Sequence, residues 1–437
     1  MIRKLLWSQW ARKVKPYLDD LTRGRTQSAE QTRKELGTRL LDLLRYFGGR
    51  GDALPAWREA ARIRDAEDLW KFWPSLPILT KHDLQTRFEP GAIRKRFGLP
   101  GSISSTGGST GEPTPYLHDP QMVLATNATR HFARLQCGWH PGLATICVWG
   151  SERDIGKQRT LRNRLSAYLR NDWLVDGYSL GDQTVDRVRS LLGRHRRVAI
   201  FGFTSMLEFV ARELLAKGTL PPPGQVLAAW NGGEMLFAEQ SELFRRAFGV
   251  PILNLYGGRE LSAMACQTAP GASLEVLRPL VFVEIVDEAG NPVSPGQSGR
   301  LVWTSTVCRG TPFLRYDVGD IGCSAPEDQD AAGVRALTQL QGRAAGLLKL
   351  PTGKTINCLF WNHLFKEFRE VRQFQVVVVK DRELLLKLKG TPWGGDREDH
   401  LRRILRQFLG EMPLRVAWVD RIPLSAQAKL VQVVRQP

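Results

Sequence analysis

The chain has 437 residues, of which 42% are hydrophobic and 24% charged, with a formal net charge of +18. That is enough apolar material for one large globular domain and a smaller one, and no apolar run approaches the roughly 20 residues that span a bilayer. Gln9 and Arg12 interrupt the N-terminus before a signal-peptide core forms, so the expectation is a cytoplasmic protein with no integral membrane segment.

The positive excess implies an acidic guest: a nucleotide, an acidic carrier protein, an anionic surface or nucleic acid. Lys and Arg are scattered along the chain instead of gathered in one tail, which argues against nucleic acid. The six cysteines, at 137, 147, 266, 308, 323 and 358, include no CxxC pair and have no histidine at metal-ligand spacing. Neither a disulfide framework nor a closed zinc site is written there, and buried thiols are expected.

Residues 1–70 carry helical periodicity broken at Gly48-Gly49-Arg50-Gly51 and read as an N-terminal helical layer. Leu76-Pro77-Ile78-Leu79-Thr80-Lys81 follows, with Thr80 placed to cap a short helix. Residues 102–116 are almost all small: Ser105, Thr106, Gly107, Gly108, Ser109, Thr110 and Gly111 offer hydroxyls and close backbone approach, as a phosphate cradle requires. A Walker A loop would need Gly-Lys-Ser/Thr and an immediate helix. Here Gly111 is followed by Glu112-Pro113 and an extended stretch, so that loop class is excluded. The next helix has Asp119 as N-cap and Pro120 in its first turn, with Leu124, Ala128, Phe132 and Leu135 at helical spacing up to Gly138.

An apolar run at 144–149 reads as a buried strand, as do 198–203, 225–230 and 251–256. Between them, Ser205 and Glu208 read as a capping box for a helix through Leu214, with Gly218 beyond its end, and another helix runs to Phe248 and stops at Gly249. Strand alternating with helix means right-handed crossovers and a parallel sheet, whose ligands bind beyond the carboxyl ends of the strands. Gly202, Gly232-Gly233-Glu234 and Tyr256-Gly257-Gly258-Arg259-Glu260 share that address. There Tyr256 offers a face to a base and Glu260 a carboxylate to magnesium, although each has an ordinary explanation as a core tyrosine and a solvated acid.

From Val276 the pattern turns to hairpins, with strands at 281–286 and 300–306 around a turn at 287–291. Arg315-Tyr316-Asp317-Val318-Gly319-Asp320 comes next, and the Asp320 carboxylate suits a pair of ribose hydroxyls. Beyond Gly342-Arg343, strands at 374–379, 383–389 and 414–419 and a helix at 397–409 make a small α+β unit, which ends in a polar loop carrying Lys429.

In this order the motifs resemble the adenylate-forming enzyme superfamily, specifically its phenylacetate-CoA ligase and CapK-like branch, over residues 76–429. The resemblance rests on Leu-Pro-Ile-Leu-Thr-Lys at 76–81, Thr-Gly-Gly-Ser-Thr-Gly-Glu-Pro at 106–113, Gly-Gly-Glu at 232–234, Tyr-Gly-Gly-Arg-Glu at 256–260, Arg-Tyr-Asp-Val-Gly-Asp at 315–320, Gly-Arg at 342–343 and Lys429. It implies an α/β protein with a large ATP- and acyl-binding domain at 1–343 and a small mobile lid at 344–437. The reaction implied is attack of a substrate carboxylate on the α-phosphate of ATP, giving an acyl-adenylate and pyrophosphate, then transfer to coenzyme A.

By the same resemblance, Ser105 and residues 106–111 would hold phosphates, and Gly232, Gly233, Glu234, Tyr256 and Gly257 would line the nucleotide. Asp320 would take the ribose, Arg343 would touch the nucleotide near the hinge, Glu260 and Thr110 would hold Mg2+, and Lys429 would complete the adenylating site. Trp149, Phe203, Trp230 and Gly258 would wall an aromatic or amphipathic acid. Ala344 and Ala345 stand where relatives carry acidic hinge residues, and Ala428 where they carry glycine. Two alternatives stay open: passage of the activated group to an amine, hydroxyl or carrier-protein thiol, and a non-catalytic nucleotide-binding scaffold.

Overall fold

The glycine-rich stretch is bounded by two strands, β1 (Ser102–Ser105) and β2 (Pro115–His118), paired antiparallel from Ser102↔His118 to Ser105↔Pro115. The structure is a computed structural model and describes residues 2–105, 114–149, 161–177, 182–234, 236–326, 328, 333–343, 347–349, 355–357, 361, 364–365, 368, 370–380, 383–409, 412–422 and 433–436. Two units divide the chain: residues 1–106, 114–318 and 322–340 form one, and 107–113, 319–321 and 341–437 the other.

The first unit is built on an eleven-stranded sheet. One half holds β3 (Ala144–Trp149), β4 (Asp172–Asp176), β5 (Val198–Gly202), β6 (Val226–Gly232) and β7 (Ile252–Gly258), all parallel, in the order β4-β3-β5-β6-β7. Alternation along each strand sends Ile146, Val148, Val198 and Ile200 to one face, where helices Asp182–Arg194, Thr204–Ala216 and Ala238–Phe248 bring Val185, Val188, Leu207, Val210, Phe244 and Phe248 against them. The other face carries Ala199, Ala228 and Trp230 under Trp139, just beyond helix Pro120–Gln136.

That last helix starts as the sequence requires, with Asp119 Oδ1 accepting from the N–H groups of Gln121 and Met122. Its buried side includes Met122, Ala125, Ala128 and Phe132, whereas Leu135, expected on that face and one residue from the end of the helix, is 42% exposed. The capping box expected at Ser205 and Glu208 does not form. The helix begins at Thr204, two residues earlier than an N-cap at Ser205 requires, so Glu208 lies beyond the third helical position and instead pairs with Arg212 and accepts from Gln240.

The other half of the sheet reverses direction at β8 (Ser262–Cys266), and continues through β9 (Leu274–Val276), β10 (Val281–Val286), β11 (Ser298–Ser305), β12 (Tyr316–Ser324) and β13 (Ala336–Arg343), in the order β10-β11-β12-β13-β9-β8-β7. Every residue of β10 is buried. Arg315, 1% exposed and with φ of +45°, precedes β12 and donates from Nε and Nη2 to the Glu284 carboxylate at 3.1 and 3.0 Å. Its Nη1 donates to the carbonyls of Pro74 and Leu76. Leu79 then pairs with β12, giving its N–H to Arg315 O at 2.8 Å and accepting from Asp317 N at 2.9 Å. The segment 76–81 is thus sewn to the start of β12, and Thr80 and Asp83 complete its capping box.

Helices Ile2–Thr26 and Ala29–Gly48 form the N-terminal layer, with a break at Ser28 in addition to the one at 48–51; Ser28 and Gln31 cap each other there. Leu36, Leu40, Leu44 and Phe47 seal the second helix into the main core. No helix among the described residues is long and apolar enough to cross a membrane.

In the second unit, β14 (Leu347–Lys349) and β15 (Thr355–Asn357) form a hairpin, and β16 (Val371–Val379), β17 (Glu383–Gly390), β18 (Leu414–Trp418) and β19 (Val433–Gln436) form a sheet ordered β18-β17-β16-β19. Helix Gly395–Leu409 contributes Leu401 and Leu405 to a core with Phe368, Val376, Val378, Leu384 and Leu386.

Candidate active site

The carboxyl ends of four parallel strands come into line because Val148 pairs with Gly202, Gly202 with Asn231, and Gly232 with Leu255. Trp149 ends β3 and stacks on Phe203, just past β5, with centroids 3.8 Å apart and planes at 16°. Gly233 has φ of +75°, and a Cβ there would lie 2.5 Å from Phe203 Cε1, so both torsion and space demand glycine. Gly257 is equally constrained, since a Cβ would sit 2.0 Å from Ser262 O, where β7 turns back into β8.

Asn231, fully buried, shapes the turn after β6: its Nδ2 donates to Thr204 Oγ1 at 2.7 Å and to Glu234 O at 3.2 Å. Neither Asn231 nor Thr204 was singled out as functional from the sequence, although Asn231 directly precedes the Gly-Gly-Glu motif. Both anchor the backbone at the turn that follows β6.

The strand leaving the glycine-rich stretch is held on both sides. On one side Tyr116 Oη donates to Arg259 O at 2.8 Å, and His118 Nε2 bonds to Glu260 O at 2.6 Å. A carbonyl oxygen only accepts, so the imidazole proton is on Nε2. Burial depresses the His118 pKa below the ordinary imidazole value, against the raising effect of that same bond, which favours the neutral ring. On the other side Leu117 exchanges bonds with Thr311, and Asp119 Oδ2 accepts from the N–H groups of Arg309 and Gly310 at 2.6 and 2.9 Å. These contacts fix the chain after the glycine-rich loop beside the turn that carries Glu260.

The other expected residues fall as follows. Ser105 is buried at the end of β1. Tyr256 is half-buried, its ring 5.8 Å from Trp303. Gly258 lies beside the Glu260 carboxylate, with Oε2 3.0 Å from the position a Cβ would take. Trp230 is 1% exposed and stacks on Phe201 at 5.5 Å, one row deeper than Trp149 and Phe203. Asp320 is half-buried in mid-β12, while Asp317 is bound to Arg300 at 2.7 Å, and Arg343 is the last residue of β13. Thr106, Gly107, Gly108, Ser109, Thr110, Gly111, Ala344, Ala345, Ala428 and Lys429 lie outside the described residues.

Magnesium is held by one or two carboxylates together with substrate phosphates, and not by an all-protein cage. Glu260 supplies one such carboxylate, and among the described residues no cluster of three His, Cys, Asp or Glu could hold a metal by itself. Burial pushes the thiols of Cys137, Cys147 and Cys266 up to about 12, which makes them poor nucleophiles.

No family model matches the sequence, and no curated protein sequence does. Solved structures do match. 2-Hydroxyisobutyryl-CoA ligase in its postadenylation state, bound to R3-HIB-AMP, aligns with a TM-score of 0.61 and 15% identity over 94% of this chain and 90% of that one. The fold is that of an adenylate-forming acyl-CoA ligase. The same ligase with 2-HIB-AMP and CoA aligns at a TM-score of 0.57 and 15% identity, again over 94% and 90% of the two chains. O-succinylbenzoate coenzyme A synthetase from Bacillus subtilis, in complex with AMP, aligns at 0.50 and 16% identity over 76% and 67%.

Proposed function

We propose that this chain is a cytoplasmic ATP-dependent ligase of the phenylacetate-CoA ligase and CapK-like branch, which converts a carboxylic acid to its acyl-adenylate and passes the acyl group to coenzyme A. The observation that carries the reading is the pair of bonds from Tyr116 and His118 to Arg259 O and Glu260 O. They bring the exit of a phosphate-type loop and a metal-type carboxylate to the same end of a parallel sheet.

The substrate carboxylate attacks the α-phosphate and pyrophosphate leaves, so negative charge gathers on phosphate oxygens and needs backbone dipoles and cations more than a covalent residue. Bound magnesium would supply charge neutralisation on those oxygens, with Glu260 and Thr110 to hold it. Ser105 and residues 106–111 cradle phosphate, and Gly232, Gly233, Glu234, Tyr256 and Gly257 bound the base. Asp320 accepts from the ribose, Arg343 reaches the nucleotide near the hinge, and Lys429, on the 344–437 lid, meets the reacting carboxylate. Trp149, Phe203, Trp230 and Gly258 face the acid. The net charge of +18 favours a second acceptor, an acidic carrier protein bearing a thiol.

Magnesium-dependent pyrophosphate exchange over a panel of acids tests the first half-reaction without an acceptor. Glu260→Gln should abolish the magnesium-dependent part of the thermal shift given by ATP; an unchanged shift removes Glu260 from the metal site. Lys429→Ala should slow exchange on the order of 10²-fold or more while nucleotide affinity holds, because the interaction is made in the transition state. Near-normal exchange in that variant would overturn the role.

A further inference from the structure

Side chains in the middle of interior strands are ordinarily covered, yet Cys147 of β3 and Phe201 of β5 are only half-buried. On the opposite face Ile146, Val148 and Ile200 are closed to 1% or less. Cys147, Phe201 and Trp230 lie abreast in one row across the sheet. That row is one pleat repeat, roughly 6.6 Å, below the strand ends occupied by Trp149 and Phe203. Cys147 and Phe201 therefore floor a recess that runs down from the candidate site and ends against the closed Trp230, paved by rings in near-parallel stacking: Trp149 on Phe201 at 5.1 Å and Phe201 on Trp230 at 5.5 Å.

Arg134, from helix Pro120–Gln136, borders this recess. Its guanidinium lies over Trp230 at 5.4 Å and Trp139 at 5.7 Å. It is 9% exposed, and its buried Nε has no hydrogen-bond partner. Ring faces favour a cation but do not neutralise it, and a buried charge without a counter-ion is costly. Among the described residues no neighbour supplies the anion. His131 is held neutral, its pKa pressed down to about 3 by burial and by Arg134 and Arg130, and the Cys147 thiol is pushed up to about 12 by burial. Asp172, whose field reaches Arg130 and Cys147, is bound to Arg170 at 3.1 Å.

We propose that the recess receives the acyl portion of the acid and that Arg134 binds a second anionic group on it, so that the preferred substrates are dianionic acids with a planar or short spacer between their charges. This rests on the adenylate-forming reading of the same site. The spacing from strand ends to the Arg134 row matches the span of a para-substituted benzene ring, and the stacked floor suits such a ring.

The test is pyrophosphate exchange with matched pairs, phenylacetate against 4-carboxyphenylacetate and hexanoate against adipate. The wild-type protein should prefer the dianionic member by on the order of 10²-fold in kcat/KM, as a site built around a buried charge rejects the analogue that leaves it unpaired. Arg134→Met keeps bulk over the two tryptophans, and should collapse that preference through KM more than kcat; Arg134→Lys should retain part of it. Equal or better exchange with the monoanionic member, or an equal loss for both members in Arg134→Met, overturns the assignment and leaves adenylate formation standing. Absence of exchange with every acid, together with no thermal shift on adding ATP, overturns the underlying reading and this one with it.

Discussion

The two halves of the large sheet treat charge in opposite ways. In the antiparallel half, motif residues that look chemical are structural: Arg315 is spent on Glu284 and on the carbonyls of Pro74 and Leu76, and Asp317 on Arg300. In the parallel half the strand ends carry glycines at positions no other residue can fill, stacked rings, and Glu260 beside Gly258. A motif can therefore hold both kinds of residue. Arg-Tyr-Asp-Val-Gly-Asp contributes two clamps, Arg315 and Asp317, ahead of the half-buried Asp320.

The largest expected effect breaks the structural half. Arg315→Met leaves Glu284 buried without its partner and should cost about 3–5 kcal/mol of stability. The fraction that remains folded should bind ATP normally, and calorimetric ATP affinity of the variant below its melting temperature checks this; a large affinity change would mean Arg315 acts on the site. Gly233→Ala probes the other half, because its methyl group must displace Phe203 at an unfavourable φ. It should lower kcat/KM for ATP roughly 10- to 100-fold with a smaller change in melting temperature.

The smallest effect is a pH dependence. His131 in the folded protein resists protonation down to about 3, while the unfolded chain takes up that proton near 6.5. Its contribution to stability is complete above that higher value and is lost as pH falls through the interval, with a slope of at most about 1.4 kcal/mol per pH unit. Urea titrations of His131→Leu should show a flatter pH profile than the wild type, and an identical profile would show that this ring does not set it.

Much of the architecture is legible in the sequence, because the strands at 144–149, 226–232 and 252–258 are short apolar runs closed by glycine or helix signals, and buried parallel strands need little else. β4 and β19 escape the same reading. Asp172-Trp173-Leu174-Val175-Asp176 is an edge strand with one buried residue, and Val433–Gln436 pairs along one side only. The helix Thr204–Ala216 is legible but its start is not: a Ser-x-x-Glu pattern is satisfied equally by a helix that has already begun. The glycine motifs mark the site, whereas its supports do not announce themselves. Tyr116 and His118 act on partners more than 140 residues away, and Arg134 looks like any exposed basic residue on an amphipathic helix.

The bonds from Tyr116 and His118 end on main-chain oxygens, and every residue type supplies one. The grip is thus blind to the identity of the side chains at 259 and 260, since neither bond uses a side-chain atom of the turn. The place of the turn is thus set through the backbone, separately from whichever side chain it presents at 260.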